Sequence, residues 1–518
     1  MKRNRIFASL LAALVLAATA AAQTDAPSGP LSLEECVLRA LKNNLSVQVQ
    51  VLNPELAIES LSKAREKFVP SLSMGYNKQD TQTASYSWID ASGSVITKNN
   101  GYNFGLSESL PFGGTLNLSL NNSRNDSNQK FQTINPRYSS TLRFTFSQPL
   151  LRNFGFDLSR REILIARTNL DISEIQFEKT LADTVYDVEE AYWNLAYSID
   201  NLEVRRQALK LAQDLLEKNQ RSVEVGTLAP MEILSAKAEV ATREADIIQA
   251  EAQVRNAEDR LRTILNVPAS DVPVVLKDKP SVGERKIGAD EALAVALQMR
   301  PELRASRLGL QNENLNVSYA RNQILPELNL STSYWSPGVS GDQIIYLDNN
   351  PLTGVVLRVI PGGGSAAFKD ATGFKYRNWS VGLTLSVPIG NVLSRALYAQ
   401  AKLNLQQALL NVKNEEQQAA LEVRTAVRSV DSNFKRIQAY RAARELAEQK
   451  LAAEEEKLKV GLSTNFMVLS YQRDLSNARS AELQSIVAYN VSLAALDRAQ
   501  GTSLQAKNIR VSDYRLQD

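Results

Sequence analysis

The chain has no histidine and one cysteine, Cys36, in 518 residues. That removes Ser-His-Asp and Cys-His nucleophiles, histidine-based zinc sites and any internal disulfide. What remains for chemistry is carboxylate, with 56 Asp and Glu against 59 Lys and Arg. These acids recur at helical spacing among basic residues, which is the pattern of a solvated helix face and not of a paired general acid and base. A carboxylate-dependent hydrolase would need a cleft with paired acids, and no such constellation stands out. The chain is therefore expected to be no enzyme and to carry no catalytic residue, no metal and no cofactor. The basic excess of three equals Lys2, Arg3 and Arg5 near the N-terminus. The remainder is formally neutral and offers no basic surface for nucleic acid.

The residues that repeat are more informative than the residues that could react. Arg221–Leu234 reads RSVEVGTLAPMEIL and Glu456–Leu469 reads EKLKVGLSTNFMVL, with Gly226 and Gly461 235 residues apart. Upstream, Lys63–Leu72 (KAREKFVPSL) parallels Tyr319–Leu328 (YARNQILPEL) at an offset of 256. A unit of more than 200 residues written twice predicts one architecture with two similar halves, unlike a short-period solenoid. Each glycine sits where a left-handed residue ends a helix. An apolar cluster at an exposed helix tip is poorly suited to a free surface and suggests a docking site.

The elements that position these tips can be read in order. Residues 1–22 form a signal peptide, with a basic start, an apolar Ile6–Ala18 too short to span a bilayer, and Ala20-Ala21-Ala22 before the cut. The first structural repeat covers 23–266. A helical lead-in, Leu33 to Phe68, is expected to break at Asn53-Pro54-Glu55, then strands at about 71–148, then a helical hairpin at 156–266. A linker, 267–288, precedes the second repeat, 289–500. There the lead-in breaks at Arg300-Pro301-Glu302, strands occupy about 327–388 and the hairpin 391–500, before a tail at 501–518. The strands alternate apolar with small polar residues, as in Val381-Gly-Leu-Thr-Leu-Ser-Val387 and Leu142-Arg-Phe-Thr-Phe-Ser147. Aromatics crowd their ends (Tyr86, Trp88, Tyr334, Trp335, Tyr376, Trp379), as in the girdles of outer-membrane barrels. A half-buried soluble sheet shares the alternation. Residues 90–100, 121–137 and 336–375 are expected to be exterior loops. Proline marks each junction between helix and strand: Pro70, Pro149, Pro326 and Pro388.

The first limb of the first hairpin is on the order of 100 Å long at about 1.5 Å per residue. Its seam is coiled-coil-like, with Leu181, Val188, Leu195, Leu202, Leu209, Leu216 and Val223 at every seventh position. A second stripe, Val204, Ala208, Leu211 and Leu215, implies neighbours on two sides. The returning limb offers Leu234, Ala238, Ala241, Ala245, Ile248 and Ala252 as a close-packing face. A long coiled coil with no further role would show the same seams.

Taken together, the duplicated plan, the Ala64-Arg65…Pro70 and Ala320-Arg321…Pro326 lead-ins, the Gln-Pro-Leu and Val-Pro-Ile exits and the two Val-Gly tips resemble the TolC-type outer-membrane efflux protein family. The resemblance runs from about Leu31 to Gly501. It implies an α+β membrane protein: a homotrimer whose transmembrane β-barrel is continued by a long periplasmic α-helical coiled-coil barrel, with an internal two-fold structural repeat. It places the chain in the cell outer membrane, among outer-membrane lipid, extending into the periplasm. Its partners are a periplasmic adaptor (membrane fusion) protein and an inner-membrane pump or ABC exporter, and it acts as the passive conduit of an efflux or type I secretion system. The usual four barrel strands per chain are expected. Adaptor contact is carried onto Val225, Gly226, Thr227, Leu228, Val460, Gly461, Leu462 and Ser463.

Family members often place an acid six residues after the tip glycine, and some a second acid three further on, forming a charged periplasmic gate. The corresponding residues here are Glu232 and Ser235 in the first copy and Met467 and Ser470 in the second. At most one acidic ring survives, and Met467 points to apolar closure instead. The competing reading is a non-conducting coiled-coil spacer or surface protein of the envelope.

Overall fold

The computed structural model describes residues 30–87, 90, 93–268 and 272–514. The expected signal peptide, Trp88 and the last four residues of the tail lie outside the described residues. The chain divides into two compact units. Unit 1 holds residues up to Glu55 together with Ile172–Arg307 and Asn411–Asp518, and unit 2 holds Leu56–Asp171 and Leu308–Leu410.

Unit 2 is built on one antiparallel sheet. Its strands are β1 (Ser71–Ala84), β2 (Ser94–Ser109), β3 (Thr115–Ser127), β4 (Ile134–Pro149), β5 (Glu327–Tyr346), β6 (Val356–Ile360) and β7 (Asn378–Ser386). The order is β1-β2-β3-β4-β5-β7, and short β6 pairs with the far end of β5. The sheet holds six long strands, two more than the four expected in the barrel wall. The cause is that β2 and β3 form a complete hairpin joined at Pro111-Phe112-Gly113-Gly114, where Leu110 N–H donates to Gly114 O at 2.7 Å and Gly113 adopts φ 95°. The expected loops are also shorter than read. β3 and β4 run into 121–137, and 336–375 contains the end of β5, β6 and a helix.

Register sorts the side chains by face, because alternate residues of a strand point to opposite sides. One row crosses all six long strands as Leu72, Leu106, Leu118, Phe144, Tyr334 and Trp379. The next row on the opposite face reads Ser71, Ser107, Asn117, Thr145, Ser333 and Ser380. Hydroxyls pair across this second row, Ser71 Oγ with Ser107 Oγ at 2.7 Å and Thr145 Oγ1 with Ser333 Oγ at 3.2 Å. Leu72, Met74, Tyr102, Phe104, Trp379, Leu383 and Leu385 on the apolar face are all exposed in the chain.

Four helices have residues in both units: α3 (Leu52–Glu66), α5 (Arg161–Glu224), α8 (Pro301–Asn322) and α10 (Val392–Lys459). A four-residue helix, α4 (Phe156–Ser159), precedes α5. A nine-residue helix, α9 (Gly364–Thr372), lies across the apolar face at the β4–β5 ladder. Ala367 and Ala371 are its buried positions, and a Cβ at Gly338 would collide with the Ala367 carbonyl oxygen. Phe374, just beyond α9, stacks on Tyr334 at 5.5 Å and Phe144 at 6.3 Å.

Unit 1 is helical. It adds α1 (Leu33–Asn43), α2 (Leu45–Gln50), α6 (Met231–Leu265), α7 (Ala289–Met299), α11 (Asn465–Gln500) and α12 (Ser503–Ala506). Ser32 and Glu35 close a reciprocal capping box on α1. The expected break at Asn53-Pro54 is displaced. The break falls at Val51, two residues earlier, and a second lies at Asn44, which accepts from Ser46 N–H and Val47 N–H and caps α2; Pro54 falls in the first turn of α3, where its missing N–H costs nothing. In the second lead-in the break is at Arg300, with Pro301 opening α8.

Side-chain bonds give the order of the four long helices. α6 lies on α5 through Arg205–Asp246 (3.9 Å) and Arg206–Glu251 (3.6 Å). α5 meets α11 through Ser480–Asn201 (2.7 Å) and Arg479–Gln207 (3.1 Å), and α11 meets α10 through Arg444–Glu482 (2.5 Å) and Arg479–Glu448 (2.9 Å). The order α6-α5-α11-α10 confirms neighbours on two sides of α5. Within this chain the face expected on α6 is open. Leu234 (67% exposed) and Ile248 (69%) stand open together with Ala238, Ala241, Ala245 and Ala252, while Ala236, Arg243 and Ala250 are buried. Residues 272–288, ahead of α7, form a strap and not a free linker. Leu31 bridges to Leu276, Tyr192 Oη donates to Leu31 O (3.0 Å), and Tyr489 Oη donates to Gly283 O. Burial pushes the Tyr192 hydroxyl up to about 12, and the Cys36 thiol in the same core is likewise pushed up to about 12.

Candidate functional site: the two hairpin tips

The α5–α6 and α10–α11 turns end their first helices in the same way. Gly226 N–H donates to Val223 O (2.9 Å) and Thr227 N–H to Ser222 O (2.8 Å). Gly461 N–H donates to Leu458 O (3.1 Å) and Leu462 N–H to Lys457 O (2.9 Å). Both are Schellman closures, which need a left-handed residue at the glycine position. Gly226 has φ 79° and Gly461 φ 78°, and nothing lies within 4 Å of a Cβ at either. Glycine is therefore required by backbone conformation and not by crowding.

Around this shared turn the two tips differ. At the first, Val225 (76% exposed) and Met231 stand open, Thr227 donates its hydroxyl to Ser222 O at 2.9 Å, and Leu228 is half-buried. At the second, Val460 and Leu462 are open, but Ser463 Oγ donates to Glu454 Oε1 at 2.6 Å and Lys457 Nζ to Glu454 Oε2 at 3.1 Å. The Ser463 hydroxyl and then Lys457 hold the Glu454 carboxyl below its usual range. Behind them Leu215, Leu451, Val468 (1% exposed), Leu469 and Leu475 form a small core.

The two tips are tied to each other. Asn465, buried at the start of α11, donates its Nδ2 to Glu232 Oε2 at 3.2 Å, and Glu232 is half-buried. Of the other residues expected at a gate, Met467 and Ser470 are half-buried and Ser235 is exposed. Sequence reasoning missed Asn465 and Glu454, because an asparagine beside a turn reads as a turn residue and a glutamate in a Glu-rich helix reads as solvated. Farther along, Glu448 is held low chiefly by its bond from Arg479, with Arg444 adding to it. Among the described residues, no group of three or more His, Cys, Asp or Glu could hold a metal ion, and no helix is long and apolar enough to cross a membrane.

Residues 109–267 and 292–502 match the family described as "Outer membrane efflux protein". Outer membrane protein TolC of Vibrio cholerae serotype O1 is 25% identical over 358 residues, covering 68% of this chain and 76% of that protein. Among solved structures, the outer-membrane channel OprN superposes with a TM-score of 0.67 at 17% identity, covering 91% of this chain and 90% of that one. The open state of the MtrE outer membrane channel of Neisseria gonorrhoeae gives 0.61 at 19% identity, covering 91% and 89%.

Proposed function

The chain belongs to the outer membrane efflux protein family, and from that premise we propose that it is the passive outer-membrane channel of a tripartite efflux or type I secretion system. The observation that carries the reading is the two-faced sheet, with six apolar side chains in one row and six small polar ones in the next. An exposed apolar face of this extent is at odds with water. In a bilayer it meets lipid, and a closed barrel satisfies every backbone group while leaving the polar face to a water-filled lumen.

In this reading three copies share the barrel, and their helices form one ring. The open stripe on α6 supports it. Leu234, Ile248 and the alanines between them form an outer face of the four-helix order, and α10 of the next copy covers that face. The tips, Val225–Leu228 and Val460–Ser463, dock a periplasmic adaptor, and Glu232 with Met467 lies at the closure. Energy and choice of cargo come from the adaptor and the inner-membrane pump or exporter.

The purified protein is expected to be trimeric and to conduct in planar lipid bilayers once its tips are loosened. A trimer that stays silent even with the tips forced apart would make it a spacer.

A further inference from the structure

We propose that all six long strands belong to the shared wall, with β7 of each copy hydrogen-bonded to β1 of the next, so that three copies close an eighteen-strand barrel. This rests on the trimeric channel proposed above. It departs from the expectation of four strands per copy.

Three observations carry it. First, the sheet ends on two open edges, β1 and β7, of opposite direction: β1 leaves the helical end of unit 2 and β7 returns to it. A second copy of this chain is the partner that fits both edges at once, because each supplies the antiparallel neighbour the other lacks.

Second, the extra hairpin is built into the sheet. β2 and β3 are paired along their length with β1 and β4, and the apolar row passes through Leu106 and Leu118 without a break. The turn at its base is pinned to the β4–α4 junction. Gly155 N–H donates to Phe112 O (3.4 Å), the Phe112 and Phe156 rings meet edge to face at 6.1 Å, and a Cβ at Gly113 would lie 2.5 Å from Asn153 O. A hairpin held outside the wall would need neither this anchor nor a lipid-compatible face.

Third, the internal repeat supplies the register. Within the chain, β4 and β5 pair Ser147 with Ser331 and Pro149 with Asn329. The 256-residue offset maps Ser331 onto Gly75, and the Ser-x-Pro exits map Ser147 onto Ser386. The boundary between copies is therefore the repeat's second β4–β5 junction, with Ser386 opposite Gly75 and Thr384 opposite Asn77. This register also keeps faces together. Gly75, Asn77, Thr384 and Ser386 all lie on the polar side, and Tyr76 and Leu385 on the apolar side. Barrel diameter grows roughly linearly with strand number, so this wall is about half again as wide as one of twelve strands.

The test is the double variant Asn77→Cys with Thr384→Cys in the full chain. Cys36 is fully buried and its thiol is pushed up to about 12, so it stays silent. Mild oxidation of the native trimer is expected to give reducible dimer and trimer bands on a denaturing gel, and the single variants none. Strand counting by electron cryomicroscopy of the same trimer is expected to give eighteen. A trimer with no cross-linked bands, or with twelve wall strands and β2–β3 off the wall, overturns this inference and leaves the trimeric channel standing. A monomer overturns the channel reading itself.

Discussion

The two hairpin tips share one backbone solution and differ in everything that holds it. Both close on a left-handed glycine with the same pair of hydrogen bonds. The first has an open Val225 and an open Met231, while neither α6 nor α11 starts on a side-chain cap. The second is fastened by Ser463 and Lys457 to Glu454 and backed by Val468 and Leu469. The turn conformation is therefore common property, and the freedom to move is not. We read the first tip as the mobile element and the second as its anchor, joined by the Glu232–Asn465 bond.

The strongest challenge to that comparison treats both tips alike. Replacing Gly226 and Gly461 with leucine forces left-handed strain of roughly 1–2 kcal/mol at each turn and crowds the docking face. Export is expected to be abolished with the trimer intact by size-exclusion chromatography, and normal export would sink the docking assignment. Separating the tips comes next. Val468→Ala removes two buried methyl groups and is expected to cost about 2 kcal/mol. Val225→Ala is expected to cost less than about 0.5 kcal/mol. Equal shifts in denaturation midpoint would mean the second tip is no anchor.

Cutting the tie should have an effect of similar size, read in conductance. Asn465→Ala removes a hydrogen bond to a charged group, on the order of 1.5–3 kcal/mol, and is expected to raise resting conductance. Glu232→Gln keeps an acceptor for Asn465, so closure is expected to persist with a modest loss of cation preference. Complete loss of either would mean that Glu232 alone makes the gate. The smallest effect concerns pH. The folded-state value of Glu454 is depressed, so its contribution is present above the ordinary glutamate range and is lost as pH falls through the lowered value. A spin label at Leu462 is expected to gain mobility only in that acidic window, and Ser463→Ala should move the onset to higher pH.

Much of the architecture was legible because two periodicities are long and clean. The heptads from Leu181 mark the first long helix, and the alternation around Phe144 and Leu383 marks a two-faced sheet. What stayed hidden had a physical reason. The outer halves of β2 and β3 carry polar residues on both faces, such as Asn100 against Arg124 and Lys98 against Asp126, so the alternation that reveals a strand is missing there. α9 is short and relies on Ala367 against Gly338, a fit that depends on backbone approach more than on pattern. The open stripe on α6 looked like a seam because apolar periodicity records that a face is covered without saying which chain covers it. At the tips, both glycines could be read from local chemistry alone. The Glu232–Asn465 bond joins residues 233 positions apart and leaves no local trace.

The two unpaired sheet edges have a consequence before any channel exists. A lone copy carries open backbone donors and acceptors along β1 and β7, plus an apolar face crossing six strands. Such a surface is a template for wrong pairing with any passing strand. A newly exported chain therefore cannot wait as a finished subunit. In the trimer proposed above, it must be escorted or complete its sheet as it gathers its two companions, so that folding, membrane insertion and assembly become a single event with a single point of failure.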